Sequence, residues 1–179
     1  MTGPAEDVRQ RVRSYLLGQA EAKGFAELRP AVEEARAALI AEVEPLSEAQ
    51  AAFQPPGEGE AGWSVRDVLR HVIFEEEDVT RLILQLAAGH PGPGTIIGRL
   101  REREGASLEA LLHDLKEARR RLLATVEALA GSERLDATAP HPWFGELNCR
   151  AWFLFQRVHD GDHTRQVQAI KQAPGFPAA

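Results

Sequence analysis

His159 and His163, in the run His159-Asp160-Gly161-Asp162-His163, are the residues of this sequence best placed to do chemistry. Four residues apart on a helix, two imidazoles stand one above the other and can reach one divalent cation. Their neighbours tell which face they occupy. At roughly 100° per residue, Trp152, Phe155, His159, His163, Gln166 and Ile170 fall in a stripe about 80° wide. Both rings therefore lie on the core-facing side of an amphipathic helix, where polar groups need partners. They are either core histidines hydrogen-bonded to carbonyls or carboxylates, or two ligands of a metal whose third ligand comes from elsewhere. The spacing leaves both readings open. A zincin motif is excluded, because it requires Glu directly after the first histidine and the residue here is Asp160.

A third ligand must come from a neighbouring helix, and His71 is the candidate. Ser64 reads as an N-cap with Asp67 completing a capping box, and Val65, Val68, Leu69, Val72, Val79, Ile83 and Leu86 give the apolar face of a long helix ending near Gly89. His71 lies about two turns into that helix, on the flank of its apolar face, with Glu75 one turn further along. Three neutral nitrogens from two helices would leave open positions on the metal, as in catalytic rather than closed structural sites.

The other elements follow from the same periodicity. Val8, Val12, Tyr15 and Leu16 predict an opening helix. Leu28, Val32, Ala35, Leu39 and Val43 predict a second, starting near Glu27 to Arg29 because Pro30 suits only a first turn, with Glu33, Glu34, Arg36 and Glu42 on its other faces. Pro45 kinks or ends it, and Gln54-Pro55-Pro56-Gly57 is a stop. The stretch from His90 to Gly105 is long for a link between antiparallel neighbours and reads as a crossover with a short helical piece from Ile96 to Glu104. Ser107 caps a helix carrying Leu108, Leu111, Leu112, Leu115, Leu122, Val126 and Leu129, which Gly131 ends. After a loop containing His141-Pro142-Trp143-Phe144-Gly145, Asn148 caps the histidine-bearing helix, which runs to about Gln172. No period-2 segment predicts a strand. The expectation is one all-α domain over residues 1–179: a four-helix bundle with a long crossover connection plus an N-terminal helix.

Composition narrows the function classes. The chain has 179 residues and a net charge of −6, which argues against a general nucleic-acid binder. Arg119-Arg120-Arg121 reads as a solvated face, and so do Asp160 and Asp162. No apolar run approaches a membrane span, the N-terminal residues lack the pattern of a signal peptide, and one cysteine excludes an internal disulfide framework, so a cytoplasmic protein is expected. Cys149 follows the cap Asn148, where a helix dipole could activate a thiol, but reads more simply as a small, partly buried residue. His141 reads as a loop residue near the bundle end, His90 and His113 as exposed, and Trp63, Trp143 and Trp152 as core or loop anchors.

Two segments resemble a known family. Gly62-Trp63-Ser64-Val65-Arg66-Asp67-Val68-Leu69-Arg70-His71, then Glu75, is similar to the second bundle helix of the DinB-like (DinB/YfiT-like) superfamily. His141-Pro142-Trp143-Phe144-Gly145-Glu146-Leu147, then Trp152, Phe155, His159, His163 and Gln166, resembles its final helix. The resemblance runs from about Leu28 to Ile170. It implies a four-helix bundle with a crossover, a divalent metal held by His71, His159 and His163, commonly zinc or nickel, and frequent homodimers. Family members with known activity include bacillithiol S-transferases and mycothiol-dependent maleylpyruvate isomerases. Glu75 then has three readings: fourth ligand or active-site base, acceptor for an imidazole N–H, or surface acid in the run Glu75-Glu76-Glu77-Asp78.

Two functions are weighed on this basis. The first is a metal-dependent enzyme that transfers a small-molecule thiol to an electrophile, with isomerisation or hydrolysis as related chemistries of an open three-histidine site. The second is a non-catalytic metal-binding or stress-associated interaction module, in which Phe74 and the apolar crossover residues Ile96 and Ile97 serve an interface.

Overall fold

Capping side chains set where the long helices begin. The computed structural model of the protein describes residues 5–93 and 105–178. Ser64 Oγ accepts from the Asp67 amide at 3.2 Å while the Asp67 carboxylate accepts from the Ser64 amide at 3.1 Å, opening α4 (Val65–Ala87). Ser107 caps α5 (Leu108–Leu129), and Asn148 caps α6 (Cys149–Lys171). Gly89 and Gly131, at φ of 85° and 83°, take the left-handed conformation just beyond the ends of α4 and α5, as expected of C-terminal glycines.

Before these lie α1 (Glu6–Ala22), α2 (Phe25–Val43) and the short α3 (Glu48–Ala52). The helix α2 starts at Phe25, earlier than expected, and Pro30 lies inside it. Glu27 explains the early start, because its carboxylate accepts from the Gly24 amide at 3.1 Å and ties down the first turn. The unexpected α3 carries a readable signature: Ser47 and Gln50 form a capping box. Two short strands also overturn the expectation of none. β1 (Ala139–His141) pairs antiparallel with β2 (Gly145–Leu147), with Ala139 opposite Leu147 and His141 opposite Gly145. Three-residue strands containing Pro140 are too short to show alternation, and Gly145, at φ 69°, supplies the turn.

The apolar side chains form two clusters, and their membership gives the helix directions. Leu28 and Val32 of α2 pack with Leu82, Ile83 and Leu86 of α4, Leu122 and Val126 of α5, and Trp152 and Phe153 of α6. Leu39 and Val43 pack with Val65, Val68 and Leu69, with Leu108, Leu111 and Leu115, and with Val167 and Ile170. So α2 and α6 run one way, and α4 and α5 the other. The start of α5 therefore lies at the opposite end of the bundle from the end of α4, roughly 35 Å away at 1.5 Å per helical residue. This is the expected crossover topology. Its centre, including the expected helical piece from Ile96 to Glu104, lies outside the described residues. No helix among the described residues is long and apolar enough to cross a membrane.

Between the clusters each bundle helix contributes one charge: Arg36 from α2, Glu76 from α4, Arg119 from α5 and Asp160 from α6, all buried. Arg36 grips Asp160 with two bonds of 3.1 and 2.9 Å and donates to Glu76 at 2.8 Å. Arg119 donates to Asp160 at 2.8 Å, to Glu76, and to the Val32 carbonyl at 2.6 Å. Burial works against the Arg36 charge, but Asp160 and Glu76 outweigh it and hold its pKa above the ordinary value. The solvated readings of Arg119 and Asp160 are therefore corrected, and Arg36, expected off the apolar stripe of its helix, is buried as well. Arg120, Arg121 and Asp162 do face solvent.

Candidate metal centre

His71 stands in the second turn of α4, while His159 and His163 lie on antiparallel α6. The structure brings all three rings together. His71 Nε2 lies 3.1 Å from His159 Nε2, which lies 3.2 Å from His163 Nε2. Three nitrogens bound tetrahedrally to one zinc at 2.0–2.1 Å would stand about 3.3 Å apart. The observed spacings are close to that edge length. One ligand atom from each ring lies within 4.8 Å of the others, a group that could hold a metal ion.

The surroundings keep the rings neutral and oriented. Burial, reinforced by the neighbouring imidazoles of His163 and His71 and by Arg36, pushes the pKa of His159 well below its ordinary value. Burial also lowers that of His163, partly offset by Gln166. Neutral imidazole is the form that binds metal. Gln166 Oε1 lies 2.7 Å from His163 Nδ1; accepting from it places the ring proton there and leaves Nε2 free to point at the shared centre. Gln166 in turn donates to the Glu60 carbonyl at 2.9 Å, which pins the 3₁₀ turn Gly59–Gly62 against α6. Trp63 flanks the His71 ring at 5.2 Å and Phe155 flanks His159 at 5.6 Å, centroid to centroid. His71 and His163 are buried, whereas His159 keeps partial exposure and gives the group a side open to solvent.

The remaining candidates separate clearly. Glu75 is buried on α4, so it is no surface acid, and it is not one of the residues whose ligand atoms converge. Cys149 is fully buried at the start of α6, its thiol directed at the Arg134 carbonyl at 3.4 Å. Burial and the nearby Glu133 push that thiol up to about 11, opposite to the activation a helix dipole would bring. His141 ends β1. Its Nδ1 accepts from the Trp143 and Phe144 amides at 3.2 and 3.3 Å, and burial pushes its pKa down to about 4. It packs on Phe155 at 4.5 Å and so stands one ring away from His159. His90 and His113 are exposed.

Two features escaped the sequence reading. Gln166 shares the histidine stripe, and its position three residues after His163 puts the ring within side-chain reach. The buried charges also had a signal. Val32-Arg36-Leu39-Val43, Val72-Glu76-Val79-Ile83 and Leu115-Arg119-Leu122-Val126 all follow i, i+4, i+7, i+11 spacing. In each, a charge fills a rung of an apolar ladder.

A four-helix bundle with a crossover and three convergent imidazoles on two antiparallel helices defines a narrow class of fold and site. The chain belongs to the DinB superfamily, whose family model matches residues 31–167. Its structure is similar to the crystal structure of TT2238, described as a four-helix bundle protein, with a TM-score of 0.60 and 28% identity over 80% of this chain and 97% of that one. No curated protein matches this chain significantly in sequence.

Proposed function

We propose that this chain is a divalent-metal enzyme whose cation, zinc or nickel, is held by His71, His159 and His163, and that it transfers a small-molecule thiol to an electrophile. The observation that carries the reading is the convergence of three Nε2 atoms at 3.1 and 3.2 Å. A divalent cation there supplies a Lewis acid with open positions, able to lower the pKa of a thiol or water near neutrality. The three neutral ligands leave the cation its full charge. Gln166 fixes the His163 ring, Trp63 and Phe155 wall the centre with apolar surface, and the exposed flank of His159 gives a substrate its approach. Glu75, buried one turn from His71, is assigned to receive the proton that the thiol gives up. The choice of a thiol follows from the family resemblance. A homodimer is proposed on the same ground.

Elemental analysis of the purified protein, followed by turnover assays of the zinc- and nickel-loaded forms with a panel of thiols and electrophiles, tests this. Expected are about one metal per chain, thiol transfer by the wild type, and loss of both in His159→Ala with helical content retained. Metal bound stoichiometrically without turnover of any thiol or water-derived nucleophile would leave a metal-binding module and sink the enzymatic reading.

A further inference from the structure

Two buried polar groups near the metal centre have no hydrogen-bond partner: His159 Nδ1, and both amide atoms of Gln156. Gln156 is fully buried. It lies three residues before His159 on α6, so the two side chains leave neighbouring faces of one helical turn. Helical side chains lean back toward the N-terminus, which carries the His159 ring over the turn that holds Phe155 and Gln156. Unpartnered buried groups are rare, and two side by side are complementary here. If His159 Nε2 gives its lone pair to a metal, the ring proton must sit on Nδ1, which then needs an acceptor. Gln156 Oε1 is an acceptor with no donor.

The same helix already shows this arrangement at its other ligand. His163 Nδ1 lies 2.7 Å from Gln166 Oε1, again a glutamine three residues away. We infer that Gln156 is the positioning residue for His159: its carboxamide oxygen accepts the Nδ1 proton, directly or across one water, when the centre is loaded. The two glutamines would then bracket the α6 ligands, one from each side. Metal-bound imidazoles commonly donate their second N–H in this way, and loss of such an acceptor weakens metal binding.

This inference rests on the metal-centre reading, and its test separates the two. Cobalt(II) is titrated into the metal-free wild type and into Gln156→Met and Gln156→Glu, following the visible d–d bands, and thermal unfolding of each metal-free protein is recorded. Gln156→Met keeps the volume and removes the acceptor, so cobalt affinity should fall by roughly 10–100-fold and the bands should shift. Its metal-free melting temperature should hold or rise, because an unpartnered buried amide has been removed. Gln156→Glu restores the acceptor and should recover the affinity. Wild-type affinity and spectrum in Gln156→Met would overturn the inference while leaving the centre standing. So would a metal-free Gln156→Met that loses stability in step with its affinity, which is the mark of a merely structural glutamine. A wild type that takes up no cobalt removes both.

Discussion

Two polar clusters occupy the middle of this bundle, and they are finished to different degrees. Arg36, Glu76, Arg119 and Asp160 form a closed set, with two positive and two negative groups, one per helix, paired with one another and completed by the Val32 and Leu115 carbonyls. His71, His159 and His163 form an open set, in which one nitrogen of each ring lies within 4.8 Å of the others. Both sets draw on α4 and α6, and His159 and Asp160 are consecutive residues. A closed set binds the helices to each other. The open set has room for the metal proposed above, and the contrast can be tested on that basis.

The largest effect should come from breaking the closed set. In Asp160→Asn, Arg36 and Arg119 lose the anion they share, and a net positive charge stays buried. The expected loss is about 3–5 kcal/mol of folding stability, read from urea unfolding. A loss below 1 kcal/mol would mean that the set relaxes or admits water and that the contrast with the histidines is overdrawn.

Acid should distinguish the imidazoles from this set. His141 is held neutral down to about 4, whereas its unfolded value is about 6.5, so between these values the unfolded chain binds more protons than the folded one. Stability therefore falls as pH drops from about 6.5, and the contribution of His141 levels off below about 4, having cost about 3 kcal/mol. His159 and His163, also lowered, act in the same direction. His141→Asn keeps an acceptor for the Trp143 and Phe144 amides without the titration. Its stability should fall less than that of the wild type over this window. Equal slopes would place the acid sensitivity in the triad.

The triad itself should be dispensable for folding but not for metal. With metal at about 100 times its dissociation constant, chelation should lower wild-type stability by about 2.7 kcal/mol and leave His159→Ala unmoved. The metal-free forms should differ by less than wild type and Asp160→Asn do. A collapse of His159→Ala comparable to that of Asp160→Asn would make the histidines structural.

The contrast also explains which parts could be read from sequence. Caps such as Ser64, Ser107 and Asn148 are local, so a few residues specify them. The triad was legible because histidines on an apolar stripe are conspicuous. Asp160 was not, because α6 packs against both α2 and α4 and its buried arc is wider than the stripe through the histidines. Phe153, Gln156, Asp160 and Val167 lie about 60–120° around from His159 and are all buried, a second stripe whose polar members hid it. The partners of Asp160 come from three other helices, and one helix's periodicity carries no information about them.

The smallest predicted effect concerns Gly161, which belongs to neither cluster although it lies between the two α6 histidines in sequence. It sits about 200° around the helix from His159, and a Cβ added there meets no atom within 4 Å. Its backbone is ordinary helix, so nothing in the local geometry requires glycine. Gly161→Ala should therefore stabilise the fold by about 0.5–1 kcal/mol through helix propensity. Thermal unfolding measures that gain, and metal affinity should stay at the wild-type level because the ligand face is untouched. A stabilised variant with weakened metal binding would show that the ligands need a helix able to flex between them, and the triad would then owe its openness to the backbone as well as to its side chains.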